Sequence, residues 1–296
     1  MSRDKLEEIL NIEEETNENL LKFAEKQNKI LMAIIAPYTS VRVSPVEIKS
    51  AQLGLYEEFA VEAALDKIKE KVKGQAEVIL LLNSPGGHVS SSYKIAKTLR
   101  ENFSKITVCV PHIAASGGTL IALVGNEIIM GPMSNLSPID VQVNYQGLNV
   151  SVNNMARSLM RLGEYFKDKR VEEAPYPYKA LSDKLDPIVH EELEGLSYSM
   201  RMYATELLMK SGHPEDKVPE LVDALTTGFP NHQHVIDYEL AQKLGLPVKK
   251  SSEYAEMWNL MKAWLSGYML QSEDKHILRY VVPSSLDNGQ KNKKTE

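Results

Sequence analysis

Apolar positions along the chain fall into two textures. Over residues 4–35, Leu6, Ile9, Leu10, Leu20, Leu21 and Ile30 recur at helical intervals in a heavily charged background and predict a helix. The polar stretch Glu13 to Asn19 interrupts that stripe, so residues 1–40 read as a helical arm appended to the domain, packed on its surface or paired as a coiled coil. From about residue 41 short apolar runs alternate with helical patterns. Val41 to Ile48 reads as a strand, Tyr56 to Val72 as an amphipathic helix and Val78 to Leu82 as a buried strand. Ser91 to Phe103 is helical in pattern, Ile106 to Val110 strand-like, Gly117 to Val124 a short helix and Glu127 to Met130 a further strand. Near-continuous apolar strands alternating with helices predict an α/β domain with a mostly parallel sheet covered by helices on both faces.

Past Met130 the pattern loosens. Val143 to Ser151 is polar and irregular, and a helical segment follows through Leu162. Asp186 and Pro187 have the form of an N-cap and first-turn proline, opening a helix to about Lys210 with Leu193, Leu196, Met200, Tyr203 and Leu207 on one face. Pro214 to Val248 makes a third block. Tyr254, Trp258, Met261, Trp264, Leu265 and Tyr268 then form a stripe at helical spacing, so residues 251–282 read as an amphipathic helix for packing or oligomer contact. Residues 283–296 are polar and read as a disordered tail, leaving 41–250 as the main domain.

Composition narrows the class without naming any chemistry. With 43% apolar and 25% charged residues and a net charge of −6, the chain reads as an ordinary globular protein with no concentrated basic face for nucleic acid. The longest apolar run, Ile30 to Ala36, is far shorter than the roughly 20 residues of a membrane-spanning helix. The charged start MSRDKLEEIL has no apolar signal region, and the single Cys109 fits a reducing compartment, so a cytoplasmic location is expected.

Two segments can carry chemistry. In LLLNSPGGHVSSSYKIAKTL an apolar strand runs into Asn83-Ser84-Pro85-Gly86-Gly87 and then a helix. Adjacent glycines there permit positive φ and leave backbone N–H groups uncovered, as an oxyanion hole requires; tight turns and phosphate cradles share the pattern. In ITVCVPHIAASGGTLIALVG a strand leads through Ala114 and Ala115 to Ser116, Gly117 and Gly118. Small residues around a serine at a helix start let a carbonyl approach closely, although a helix-capping serine looks the same. This is not the G-x-S-x-G elbow, because position 114 is alanine.

Together, NSPGG and AASGG, which place Ser116 29 residues past Gly87, resemble the Clp-type protease fold shared with signal-peptide peptidase A and the crotonases. The resemblance implies a ClpP/crotonase-like fold of repeated β-β-α units, with Ser116 as nucleophile and N–H groups of Gly86, Gly87 and Gly117 in the oxyanion hole. LSPIDVQ (136–142) and NHQHVIDYELAQKLGL (231–246) make the chain most similar to the serine dehydrogenase proteinase family, over about residues 41–250. Clp-type proteases take a histidine from the region about 25 residues past the serine; here Asp140 stands there and His232 and His234 come later. The resemblance implies a triad in swapped order: Ser116, Asp140 as orienting acid and His232 as base, with His234 as the alternative base.

Other readings stay open at this point. Asp140 can cap a turn after Pro138, and His232 and His234 would face one side of a strand and could bind a metal, but no third ligand has convincing spacing. His88 and His112 lie near the motifs; His190 and His213 carry no signal. Lys167 offers a Ser–Lys dyad of the signal-peptide peptidase A type, provided it is desolvated. An acyl-CoA enzyme of the crotonase kind and a non-catalytic scaffold are the remaining alternatives. The expected partners are a protein or peptide substrate and further copies of the chain. No cofactor is implied, and with no G-x-x-x-x-G-K-[ST] motif any ATPase would be a separate protein.

Overall fold

The computed structural model describes residues 17–36, 41–42, 48–49, 52–145, 148–168, 170, 173, 187–271 and 277–287. Helix α1 (17–27) leads into strand β1 (Ile30–Ile35). Two-residue strands β2 (Val41–Arg42) and β3 (Ile48–Lys49) pair with each other, in place of the single strand expected there. Then follow α2 (Leu55–Lys71), β4 (Ala76–Asn83), α3 (Val89–Asn102), β5 (Phe103–Val110), β6 (Ile113–Ala114), α4 (Gly117–Ala122), β7 (Glu127–Met130) and β8 (Asn135–Leu136). The second half holds β9 (Gln142–Tyr145), β10 (Leu148–Ser151), α5 (Val152–Phe166), α6 (Pro187–Lys210), α7 (Val218–Thr227), α8 (Tyr238–Lys243), β11 (Val248–Lys250), α9 (Ala255–Gln271) and β12 (Ile277–Val281).

The main sheet has six strands in the order β11-β7-β5-β4-β1-β12, parallel throughout except for β12, which runs antiparallel to β1. Its strands read as unbroken apolar runs because both faces are covered. Val78, Leu80 and Leu82 of β4 join one core with Ile106, Val108 and Val110 of β5 and side chains of α2, α3, α6 and α7. Ile79 and Leu81 point the other way, into a second core with Cys109, Ile129 and side chains of α1 and α9. This period-two division follows from strand geometry, which sends successive side chains to opposite faces.

Several expectations are corrected. The helix expected over residues 4–35 ends before Asn28, whose φ is 53°, and residues 30–35 are a sheet strand. Ile30, Met32 and Ile34 enter the first core and Leu31, Ala33 and Ile35 the second, so this part of the supposed arm is interior. A seven-residue apolar run marks a strand buried on both faces more directly than a helix stripe. The irregular stretch 143–151 contains a hairpin, β9 with β10. The expected helix over 251–282 gives way to strand β12, and its aromatic stripe is taken up inside the chain: Met257, Trp258, Met261, Trp264 and Leu265 lie buried under the sheet. Trp258 packs so closely on Gly131 that a Cβ there would stand 2.2 Å from the indole. On α6, Leu193, Met200 and Leu207 are buried, whereas Leu196 faces outward. Within the expected disordered tail, residues 284–286 form a turn; residues 288–296, like Asp186, lie outside the described residues.

Candidate active site

The two glycine segments meet at the carboxyl ends of β4 and β5. Ser84 N–H donates to Ile113 O and Ala115 N–H to Ser84 O, each at 2.9 Å, so the two loops extend the parallel pairing past the end of the sheet. Asn83 Oδ1 accepts the Ile113 N–H at 3.3 Å. Gly86 has φ 103°, and a Cβ on it would stand 2.7 Å from Ala115 O and 2.8 Å from Ser116 Cβ. Only glycine lets the first loop lie against the serine in this way. Gly87 is equally constrained, since a Cβ there would meet Leu53 O at 2.2 Å.

The three glycines expected in an oxyanion hole are not equivalent. Gly86 N–H is already donated to Ser84 Oγ at 3.0 Å, so Gly86 serves by its shape and not as a donor. Among the described residues, the Gly87 and Gly117 N–H groups have no protein acceptor. They lie together: a Cβ on Gly117 would be 3.2 Å from Gly87 N and 2.2 Å from Ser92 Oγ. Two neighbouring N–H groups without an acceptor are the kind of donors a developing oxyanion needs.

Ser116 stands before α4 with φ 52° and ψ −116°, and its side chain makes no capping hydrogen bond. A non-glycine residue held at positive φ typically costs about 1–3 kcal/mol, and its surroundings must enforce it. Here the enforcement comes from the backbone on both sides. Ser116 N–H donates to Ser137 Oγ at 2.7 Å, and Ser116 O accepts from Leu120 N–H at 3.0 Å.

His232 and Asp140 are joined by a 2.7 Å hydrogen bond between Nδ1 and Oδ1, with side chains only 16% and 5% exposed. A carboxylate can only accept, so Nδ1 carries the hydrogen, and in the neutral ring Nε2 has the lone pair. The two histidines do not share the face of a strand, because residues 231–233 form a bend and turn. His234 instead stacks on Phe229, with ring centroids 4.7 Å apart. The segment 136–141 links the parts: Leu136 exchanges hydrogen bonds with Ile236, Ser137 holds Ser116, and Asp140 holds His232. No hydrogen bond joins Ser116 Oγ to His232 among the described contacts.

Lys167 follows the end of α5 on the exposed surface, without the desolvation that a Ser–Lys dyad requires. His88 and His112 are exposed near the motif loops, and His190 lies in α6. His213 is half-buried beside Ser211, and burial pushes its pKa down. Cys109 is buried in β5, where desolvation raises the thiol pKa far above its ordinary value and keeps it from reacting as a thiolate. Sequence reasoning quoted Ser92, Thr119 and Ser137 only as parts of motifs and gave them no role; a buried serine or threonine has no periodic signature.

A family model described as the ClpP-like SDH-type serine proteinase matches residues 60–295. The chain belongs to this family. The SDH-type match runs past residue 250, where the sequence resemblance was drawn, and takes in α9 and β12. An uncharacterised protein of Methanocaldococcus jannaschii is 31% identical over 185 residues, 62% of this chain and 57% of that protein. A second from the same organism is 28% identical over 169 residues, covering 57% and 51%. The chain thus spans a little over half the length of these two relatives. The probable protease SohB of Buchnera aphidicola is 38% identical over 99 residues, 31% of this chain and 32% of SohB. Among solved structures, a mutant of a membrane-bound stomatin-specific protease aligns over 67% of this chain and 74% of its own, at 16% identity and a TM-score of 0.42. Among the described residues of this SDH-type chain, no helix is long and apolar enough to cross a membrane.

Proposed function

We propose that the chain is a serine endopeptidase that cleaves peptide bonds through an acyl-enzyme on Ser116. His232 Nε2 takes the Ser116 hydroxyl proton as Oγ attacks the scissile carbonyl, and Asp140 holds the ring in the required tautomer and stabilises the imidazolium. The Gly87 and Gly117 N–H groups receive the oxyanion. His232 then delivers its proton to the leaving amine, and a water molecule, deprotonated by the same nitrogen, releases the acyl group and restores Ser116. Approach of Ser116 Oγ to Nε2 accompanies substrate binding, as catalytic hydrogen bonds tighten in the Michaelis complex.

The observation that carries this reading is the buried 2.7 Å contact between His232 and Asp140, held on the same short segment that binds the Ser116 backbone. Exposure of Lys167 weighs against the dyad, and membership of a proteinase family weighs against an acyl-CoA enzyme. Homo-oligomer formation remains part of the proposal, now assigned to exposed apolar side chains such as Met160 of α5 and Tyr198 and Met202 of α6, because the tryptophan stripe is internal.

The test is labelling with a fluorophosphonate probe, with the adduct located by mass spectrometry. One adduct on Ser116, absent from Ser116→Ala together with peptide hydrolysis, is expected. Labelling or hydrolysis that persists in Ser116→Ala overturns the nucleophile, and a wild-type chain that neither labels nor hydrolyses peptide leaves the scaffold reading standing.

A further inference from the structure

Ser137 performs no proton transfer in the reaction proposed above, yet it holds the Ser116 backbone three residues before Asp140. Its hydroxyl oxygen accepts the Ser116 N–H at 2.7 Å and its own O–H donates to Pro138 O at 3.0 Å. Its backbone N–H donates to Thr119 Oγ1 at 3.0 Å, and that hydroxyl stands 2.7 Å from Ala114 O and 2.9 Å from Ser137 O. Thr119 has one proton to give, so it serves one carbonyl at a time while accepting from Ser137. Both side chains are shut away from water, Ser137 at 3% exposure and Thr119 at 0%.

We propose that Ser137, backed by Thr119, is a positioning residue that sets the nucleophile in register with its acid–base pair. The inference rests on the Ser116 reading. Two features of the geometry carry it. First, the Ser116 N–H is engaged by Ser137, which holds that residue at positive φ and leaves the hole to Gly87 and Gly117 alone. Second, Asp140 lies three residues further along a segment pinned before it by Leu136 to Ile236 and by Ile139 N–H to Leu225 O at 3.0 Å, and after it by Val152 N–H to Val141 O at 3.0 Å. An extended chain spans at most about 3.3–3.6 Å per residue, so the reach from the Ser116 anchor to the carboxylate is bounded by this one short segment. Removing the Ser137 hydroxyl frees the Ser116 backbone and leaves the His232–Asp140 pair untouched.

The experiment compares Ser137→Ala with wild type in the full chain, by rate of fluorophosphonate labelling at Ser116, peptide hydrolysis against pH, and thermal melting. A misplacement of about 1 Å can lower a rate about a hundredfold, so kcat and labelling are expected to fall about 10- to 100-fold with KM within about twofold. The pH midpoint of hydrolysis stays in place, and the melting midpoint moves by no more than about 5 °C. A Ser137→Ala protein that labels at the wild-type rate overturns the proposal, as does a rate loss that only follows unfolding at the assay temperature. Should Ser137→Ala fail to fold, Thr119→Val against Thr119→Ser decides. A slow Val and a restored Ser variant with matched melting support the role, and equal rates overturn it. Labelling that survives Ser116→Ala is a separate failure, removing the nucleophile itself.

Discussion

The Ser116 side and the His232 side of the proposed site are built by different means. Ser116, Gly86 and Gly87 sit in loops stitched together by backbone hydrogen bonds at the ends of two central strands, where almost any added atom collides. His232 sits in a surface turn, tied down by the Leu136–Ile236 bridge and by its own side chain on Asp140. One side is specified by what must be absent, a Cβ; the other by which two side chains find each other. Steric specification leaves a local trace in sequence, and pairing across 92 positions leaves none.

Substitutions can break that contrast in decreasing order of effect. Ser116→Ala removes the attacking atom, and a loss of about 10⁶-fold in kcat is expected in peptide hydrolysis. Asp140→Asn keeps the shape but permits the wrong histidine tautomer, for which about 10⁴-fold is expected with little change in melting. Retained activity in Asp140→Asn would mean that the buried pair is only structural. Gly117→Ala places a methyl against Ser92 Oγ and shifts an oxyanion donor, so a loss of about 10²–10³-fold is expected. Unlike Asp140→Asn, it should also lower the melting midpoint, because its neighbours must move. His234→Ala and Lys167→Ala should each stay within about twofold of wild type, in keeping with a stacked ring and an exposed amine. A tenfold loss in either would move the base away from His232.

The smallest effect concerns a network that ties α3 to α6. Hydrogen bonds from Tyr93, Lys97 and Lys210 hold the Glu206 carboxyl at a pKa of about 2, and its site is partly open to solvent. A carboxyl depressed in the folded state stabilises above its unfolded value and loses that contribution as pH falls through about 2. Urea unfolding should therefore show Glu206→Gln slightly less stable than wild type at pH 7, with the gap closing between about pH 4.5 and 2. A gap that widens on acidification would reverse the assigned sign.

Much of the parallel sheet was legible because its strands are continuous apolar runs, and Glu127–Met130 was read with its observed limits. The close approach of the two glycine loops was legible in their motifs, and the proposal for Ser116 came through the resemblance those motifs carry, while the exclusion of Gly86 as a donor turned on the rotamer of Ser84, which no spacing encodes. Ile30 to Ile35 was misread because charged residues upstream suggested one long helix, although the break at Asn28 lies just before the apolar run. β12 escaped notice because its partner β1 lies at the other end of the chain, and pairing at that distance has no local signal.

That last pairing also bears on how the molecule comes into being. In synthesis β1 and β4 emerge before β12 and can align with each other, but the outer edge of β1 stays without this neighbour until β12 has been made. An open strand edge on a nascent chain is a template for the wrong partner. The closing strand thus acts as a late seal, and truncation ahead of Ile277 should yield a chain prone to aggregate although every residue of the catalytic proposal is present.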